Sequence, residues 1–243
     1  FINDIVPILS RYGCNSGGCH GKAEGQNGFK LSVFGFDPAA DYDALTKEAR
    51  GRRVFPASAE RSLLLRKAAG LSPHGGGTRI APQSLPYETL HDWIAAGCPR
   101  GADDAATVSS IEITPAQRVL AMGSRQQLRV VATFSDGHRE DVTALAQFQS
   151  NHEGLATVDE LGLVTAGDSP GQVAVMASYM GAVDIFQTLI PRDAALPAWP
   201  EIPEFNFIDG HVHRRLQQLQ ILPSAAADDA EYLRRVYLDL IGT

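Results

Sequence analysis

Apolar residues recur at helical spacing through the first hundred residues or so, then switch to strict alternation, so the chain changes structural type part-way along. In F-I-N-D-I-V-P-I-L-S-R-Y, Ile2, Ile5, Val6 and Leu9 share one helical face and Gly13 supplies a stop. This predicts a short helix over residues 1–12 in spite of Pro7. A glycine-rich loop through Gly28 follows, and further helices are predicted over 39–49, 59–69 and 87–96, each bounded by Pro or Gly. After Pro99 the run R-G-A-D-D-A-A-T is small and polar and reads as a linker. From Ile111 to Ile190 short alternating runs appear: Q-L-R-V-V-A-T-F before the turn S-D-G-H, then L-V-T-A and Q-V-A-V-M-A-S-Y. That spacing fits the strands of a sandwich. The segment P-R-D-A-A-L-P-A-W-P-E-I-P, with four prolines, predicts an extended connector. Two helices are then predicted, 207–219 and 228–240, the second with Leu233, Val236, Tyr237 and Leu240 on one stripe. Two short amphipathic helices have little to bury against alone, so this end reads as the start of a further helical domain.

The expected architecture is therefore multidomain: an all-α domain over 1–104, an all-β sandwich over 108–191, and a Pro-rich linker with a helical segment over 192–243. A length of 243 residues is ample for two cores. The formal charge of −7 is spread along the chain, which argues against a nucleic-acid footprint. No apolar run approaches the roughly 20 residues of a transmembrane helix. The chain opens on Phe1 without a basic n-region and apolar h-region, so any export signal is expected to be already removed or absent.

Three cysteines are too few for a disulfide scaffold, yet Cys14 and Cys19 sit together directly before His20 in C-N-S-G-G-C-H. Covalent haem attachment needs two thiols that reach the vinyl groups and an adjacent imidazole aimed at the iron. Cys-x-x-Cys-His supplies that set at its usual spacing. Here four residues intervene, and Gly17 and Gly18 could take the positive φ angles that such an insertion demands. Three other readings compete on these residues alone: a Cys14–Cys19 disulfide, a zinc site with His20 and Cys98, or simply buried thiols. Cys98 itself reads as a small buried residue or a free thiol at a helix end.

Several motifs in order, F-I-N-D-I-V-P-I-L, C-H-G, G-F-K-L-S, R-V-F-P-A-S-A-E-R-S-L-L-L-R-K-A and L-H-D-W-I-A-A-G-C-P, resemble the planctomycete-type cytochrome c domain. The resemblance covers essentially residues 1–100 and implies the class I cytochrome c fold, with its first and last helices crossing near the haem. Ile5, Leu9, Leu90 and Trp93 would then be packing partners. It implies one covalent haem c through Cys14 and Cys19, with His20 as an axial ligand. Many class I cytochromes take a methionine as sixth ligand, but Met122, Met176 and Met180 all fall in the β block. His74, in S-P-H-G-G-G-T-R before the last helix, occupies the place where that fold presents its distal ligand, and is expected to complete a bis-histidine pair. His91 is expected to be a partly exposed helix residue. Arg53 and Arg79, with Arg52, flank the implied pocket and are candidates to bind the haem propionates.

Residues 111–190 look like a bacterial immunoglobulin-like domain of group 2, expected to serve as a spacer or adhesion module. The S-D-G-H-R-E-D run reads as a charged hairpin turn. The C-terminal helices are similar to the opening of a helical domain of unknown function that follows such cytochrome domains. His211 and His213, two apart on a helix, point to different faces and read as solvated. The function so implied is single-electron transfer at a low potential, outside the cytoplasm, in the periplasm or at the cell surface. The partner would be a redox protein or a downstream domain of the same polypeptide. The alternatives are a haem-free binding or spacer module with structural cysteines, or the redox arm of a larger enzyme.

Overall fold

A computed structural model describes residues 1–102, 104–193 and 198–242. The first block contains four helices: α1 (Ile5–Arg11), α2 (Pro38–Thr46), α3 (Leu63–Ala68) and α4 (Leu85–Ala95). Their places match the sequence periodicity. The difference is that residues 56–61 form a 3₁₀ turn, so α3 starts later than the pattern suggests. Pro7 is accommodated in the first turn of α1, where its missing N–H has no partner to lose. Pro38 opens α2, and Asp37 caps it by accepting from the Ala40 N–H at 3.0 Å. Ile5, Val6, Ile8 and Leu9 of α1 pack with Leu90, Trp93 and Ile94 of α4 in one buried cluster. The Phe1 ring adds edge contact to Tyr42 at 5.3 Å and a tilted contact to Trp93 at 5.5 Å.

Beyond α4 the chain reverses through Gly97 and Cys98, both at positive φ. Cys98 is buried, its carbonyl accepts from the Tyr42 hydroxyl at 2.7 Å, and burial pushes its thiol pKa up. It is a core residue of this block.

The second block is a β-sandwich of ten strands among the described residues. They are β1 (Val108–Thr114), β2 (Gln117–Val119), β3 (Arg125–Gln127), β4 (Arg129–Phe134), β5 (Arg139–Asp141), β6 (Gln147–Ser150), β7 (Ala156–Val158), β8 (Leu163–Ala166), β9 (Gly171–Tyr179) and β10 (Ala182–Ile190). β9 and β10 form a nine-residue antiparallel hairpin, flanked by β2 parallel to β10 and by β6 antiparallel to β9. The other strands form the sheets β1-β4-β5 and β3-β8-β7. Alternation along β4 and β9 places Val130, Ala132 and Phe134, and Val173, Val175 and Ala177, inward with Phe186 at their centre. The S-D-G-H run is a tight turn: Gly137 is at φ +89, and Asp136 accepts from the His138 backbone N–H at 3.0 Å.

The two blocks are in contact. Arg11 donates to the carbonyls of Ala144 at 3.3 Å and Glu160 at 2.5 Å, Gln147 donates to the Ser10 carbonyl, and Leu145 and Met180 pack on the α-helical core. The β block is thus docked against α1, not strung behind it as a detached spacer.

Tyr179 lies buried near this junction, and burial, reinforced by Glu140 and Asp4, pushes its phenol up to about 12. An unfolded tyrosine ionises near pH ~10. The stability associated with the protonated phenol is therefore complete below pH ~10 and is lost as the pH climbs toward ~12. In an ultraviolet titration Tyr179→Phe is expected to remove the last tyrosine to ionise. Survival of that late component would show the assignment to be wrong.

The third segment carries α5 (Phe207–Gln218) and α6 (Asp229–Ile241). Neither helix buries a residue, and Leu233, Tyr237 and Leu240 stand exposed. Asn206 and Asp209 form a reciprocal cap on α5. Residues 194–197 of the expected connector lie outside the described residues. No helix is long and apolar enough to cross a membrane among the described residues.

Candidate functional site

The C-N-S-G-G-C-H run begins where α1 ends. Gly13, at φ +68, turns the chain, and the Cys14 N–H donates back to the Leu9 carbonyl at 2.8 Å. The four residues between the cysteines then fold on themselves: Cys19 N–H donates to the Ser16 carbonyl at 2.9 Å, and His20 N–H returns to the Cys14 carbonyl at 3.0 Å. The insertion thus leaves Cys14 and His20 tied by one hydrogen bond. Positive φ was expected at Gly17 and Gly18, but neither has it; both are exposed with nothing near a would-be Cβ. The glycine this loop requires is Gly21, where a Cβ would lie 2.1 Å from the Asn15 carbonyl oxygen. Asn15 anchors the loop from inside: it is fully buried and donates to the Ser10 hydroxyl at 2.8 Å.

Cys14, Cys19, His20 and His74 all line one cavity of about 370 Å³. Its walls are apolar, from Leu9, Leu31, Leu63, Leu64 and Phe29 among others. Arg52, Arg53, Lys67 and Arg79 also line it, and among the described residues no carboxylate does, in a chain whose net charge is −7. None of the three methionines lines it.

Both imidazoles are held in one tautomer. His20 Nδ1 donates to the Phe29 carbonyl at 2.9 Å, and His74 Nδ1 donates to the Gly77 carbonyl at 2.9 Å. A carbonyl only accepts, so each Nδ1 carries a proton, and in the neutral ring the lone pair is then on Nε2. This is the outer-shell arrangement that orients metal-binding histidines. Burial lowers the His20 pKa, which favours the neutral, ligating ring. The two ring centroids are 6.3 Å apart with planes 8° from parallel.

The cysteines are free thiols, and burial pushes Cys14 up to about 11. A zinc site would want thiolates. Among the described residues no group of three ligands gathers Cys14, Cys19 and His20, and Cys98 does not line the cavity. The single such group is Glu88, His91 and Asp92 on α4, largely exposed and away from the cavity lining. His91 is thus a partly exposed helix residue paired with Asp92 at 3.1 Å.

The expected propionate arginines differ. Arg79 is exposed at the cavity rim with its guanidinium free of acceptors among the described residues, as is Arg52. Arg53 is buried, and its fork is occupied by the Ala44 carbonyl and by the Gly28 carbonyl at 2.7 Å. Sequence reasoning missed Phe29, Gly77 and Gly21. The Asn27-Gly28 turn, both residues at positive φ, is the signal that could have located the carbonyl presented by Phe29.

Residues 107–178 match the family described as bacterial Ig-like domain, group 2. The central block is a bacterial Ig-like domain. The match begins just before β1 and ends within β9. Ice-binding protein 1 of Shewanella frigidimarina is 36% identical over 95 residues, which is 37% of this chain and 10% of that protein. The chain therefore spans about a tenth of that relative's length. Among solved structures, domains 4 and 5 of the S-layer protein SbsC align at 13% identity with a TM-score of 0.31, over 35% of this chain and 53% of that one. A longer SbsC structure, residues 31–844, aligns at 12% identity with a TM-score of 0.33, over 39% of this chain and 14% of that one. The cavity lined by Cys14, Cys19, His20 and His74 lies wholly outside the Ig-like match.

Proposed function

We propose that residues 1–104 form a c-type cytochrome module carrying one covalent haem and transferring single electrons. The observation that carries this reading is the convergence of Cys14, Cys19, His20 and His74 on one apolar cavity. Each histidine there has its Nε2 left free by a backbone bond to Nδ1. The residues fit the group. Two free thiols supply the covalent anchors, two imidazoles the axial ligands, leucine walls the apolar lining, and the basic rim a counter-charge for two propionates. Bound there, haem supplies one-electron exchange between iron(III) and iron(II).

The chain's own residues set the conditions of that exchange. His20 and His74 would be the two imidazole ligands to the iron. Absence of a methionine ligand keeps the potential below that of Met/His cytochromes. The leucines and Phe29 exclude water, and Arg79 and Arg52 face solvent at the rim, where propionates are reached without burying charge.

Covalent attachment and the Ig-like domain both favour a location outside the cytoplasm, periplasmic or at the cell surface. The electron partner is a second redox protein or another domain of the same polypeptide. Intact mass spectrometry after expression with haem-c maturation enzymes is expected to show a mass gain of one haem, on the peptide containing Cys14 and Cys19. Unmodified protein under conditions that load a control cytochrome would point to the haem-free alternative, a surface binding or spacer module.

A further inference from the structure

Arg53 is 4% exposed, an unusual place for a guanidinium. Its fork donates to two carbonyls from separate parts of the chain, Ala44 at the core of α2 and Gly28 in the loop after the haem motif, the latter at 2.7 Å. Its guanidinium carbon sits 4.5 Å from the centre of the Phe29 ring, and Glu48 balances its charge from 3.6 Å. Gly28 and Phe29 are consecutive, and Phe29 does two things for His20. Its carbonyl accepts the Nδ1 proton at 2.9 Å, and its ring packs 4.4 Å from the imidazole.

The loop needs an external hold. Residues 26–29 form a tight turn closed by the Gln26–Phe29 backbone pair at 2.9 and 3.0 Å, with Asn27 and Gly28 both at positive φ. The Leu31 N–H to His20 carbonyl bond at 2.9 Å fixes the backbone of His20 but not the plane of its ring. Arg53 is the side chain that ties the turn to α2.

We propose that Arg53 is a positioning residue for His20: it clamps the 26–29 turn so that the Phe29 carbonyl holds the imidazole in a single tautomer and orientation. This rests on the haem reading for its functional consequence and assigns Arg53 a task other than binding a propionate. A planar fork suits it, because two carbonyls and an aromatic face must be met at once, which an ammonium cannot do. A histidine whose Nδ1–H bond is kept is the more basic ligand, so losing the clamp weakens electron donation to the iron and raises its potential.

The test compares Arg53→Lys and Arg53→Gln in the full chain. In haem-free protein, long-range nitrogen–proton NMR is expected to show His20 as the pure Nδ1–H tautomer in the parent and as a mixture in both variants. In haem-loaded protein at equal haem content, both variants are expected to shift the reduction potential upward to a similar extent. A potential that follows charge, with lysine like the parent and glutamine displaced, would overturn the proposal and return Arg53 to an electrostatic role. So would a His20 tautomer unchanged in both variants. Phe29→Leu keeps both carbonyls and the Arg53 charge but removes the aromatic face on which the guanidinium packs. It weakens the clamp more mildly should Arg53 changes prevent folding, and is expected to give a partly mixed His20 tautomer; a folded Phe29→Leu protein that keeps the pure Nδ1–H tautomer would count against the clamp. The tautomer measurement decides the clamp even if no haem attaches, whereas the mass measurement alone decides the haem reading.

Discussion

His74→Ala is expected to convert a low-spin ferric spectrum into a high-spin one, with covalent haem content unchanged. The residue lies in a glycine-rich turn where its Nδ1 donates to the Gly77 carbonyl at 2.9 Å, and this bond leaves Nε2 uncommitted, as the proposed ligand role requires. On the proposed reading, removing the ring would take away one of the two imidazole ligands while Cys14, Cys19 and His20 remain to hold the group. Optical and electron paramagnetic resonance spectra of the purified variant check this. His91→Ala is the control, since that ring pairs with Asp92 and lies outside the cavity lining. An unchanged low-spin spectrum in His74→Ala would remove His74 from the iron and leave the sixth ligand to another group.

The second large effect is at Gly21. A Cβ there meets the Asn15 carbonyl oxygen at 2.1 Å and the Ser16 carbonyl oxygen at 2.8 Å, both backbone atoms that cannot turn aside. Gly21→Ala is therefore expected to cost about 3 kcal/mol. For a block of roughly a hundred residues that is a fall of ~12 °C or more in the unfolding midpoint. Gly17→Ala and Gly18→Ala, which meet nothing within 4 Å, should change stability by less than ~0.5 kcal/mol. Thermal unfolding of the three variants side by side reads the difference. Equal midpoints would mean that the attachment loop is not folded against Asn15 as described.

How much of this was legible in the sequence depends on how local the signal is. The helices and the β block follow from periodicity, because burying Leu90 and Trp93 on α4, or Val173 and Val175 on β9, requires that spacing. That Cys14, Cys19 and His20 come together was legible because they are near neighbours in the chain, and the structure places all three on one cavity. The expectation for His74 rests on the family resemblance, since nothing local marks a loop histidine as a ligand; the structure adds that it lines the same cavity as His20. Arg53 was misjudged for a related reason. An arginine beside a pocket looks the same in sequence whether it faces a bound anion or two carbonyls, and the Ala44 and Gly28 acceptors are distant along the chain. The expectation for Gly17 and Gly18 went astray because an insertion's strain was assigned to the insertion itself. The structure relieves it at Gly13, before the loop, and at Gly21, after it. The docking of the Ig-like domain on α1 through Arg11 and Gln147 had no sequence signature, because single polar surface residues carry none.

The central claim is that a haem is bound covalently through Cys14 and Cys19, and a pyridine haemochrome spectrum tests it most directly. The protein should be produced in a host with c-haem maturation machinery, denatured and extracted with acid acetone before the spectrum is taken. A c-type band retained with the polypeptide is the result predicted, and its loss from the Cys14→Ala, Cys19→Ala double variant is expected with it. A colourless polypeptide after extraction would contradict the account and turn attention to the Ig-like domain as the working part of the chain.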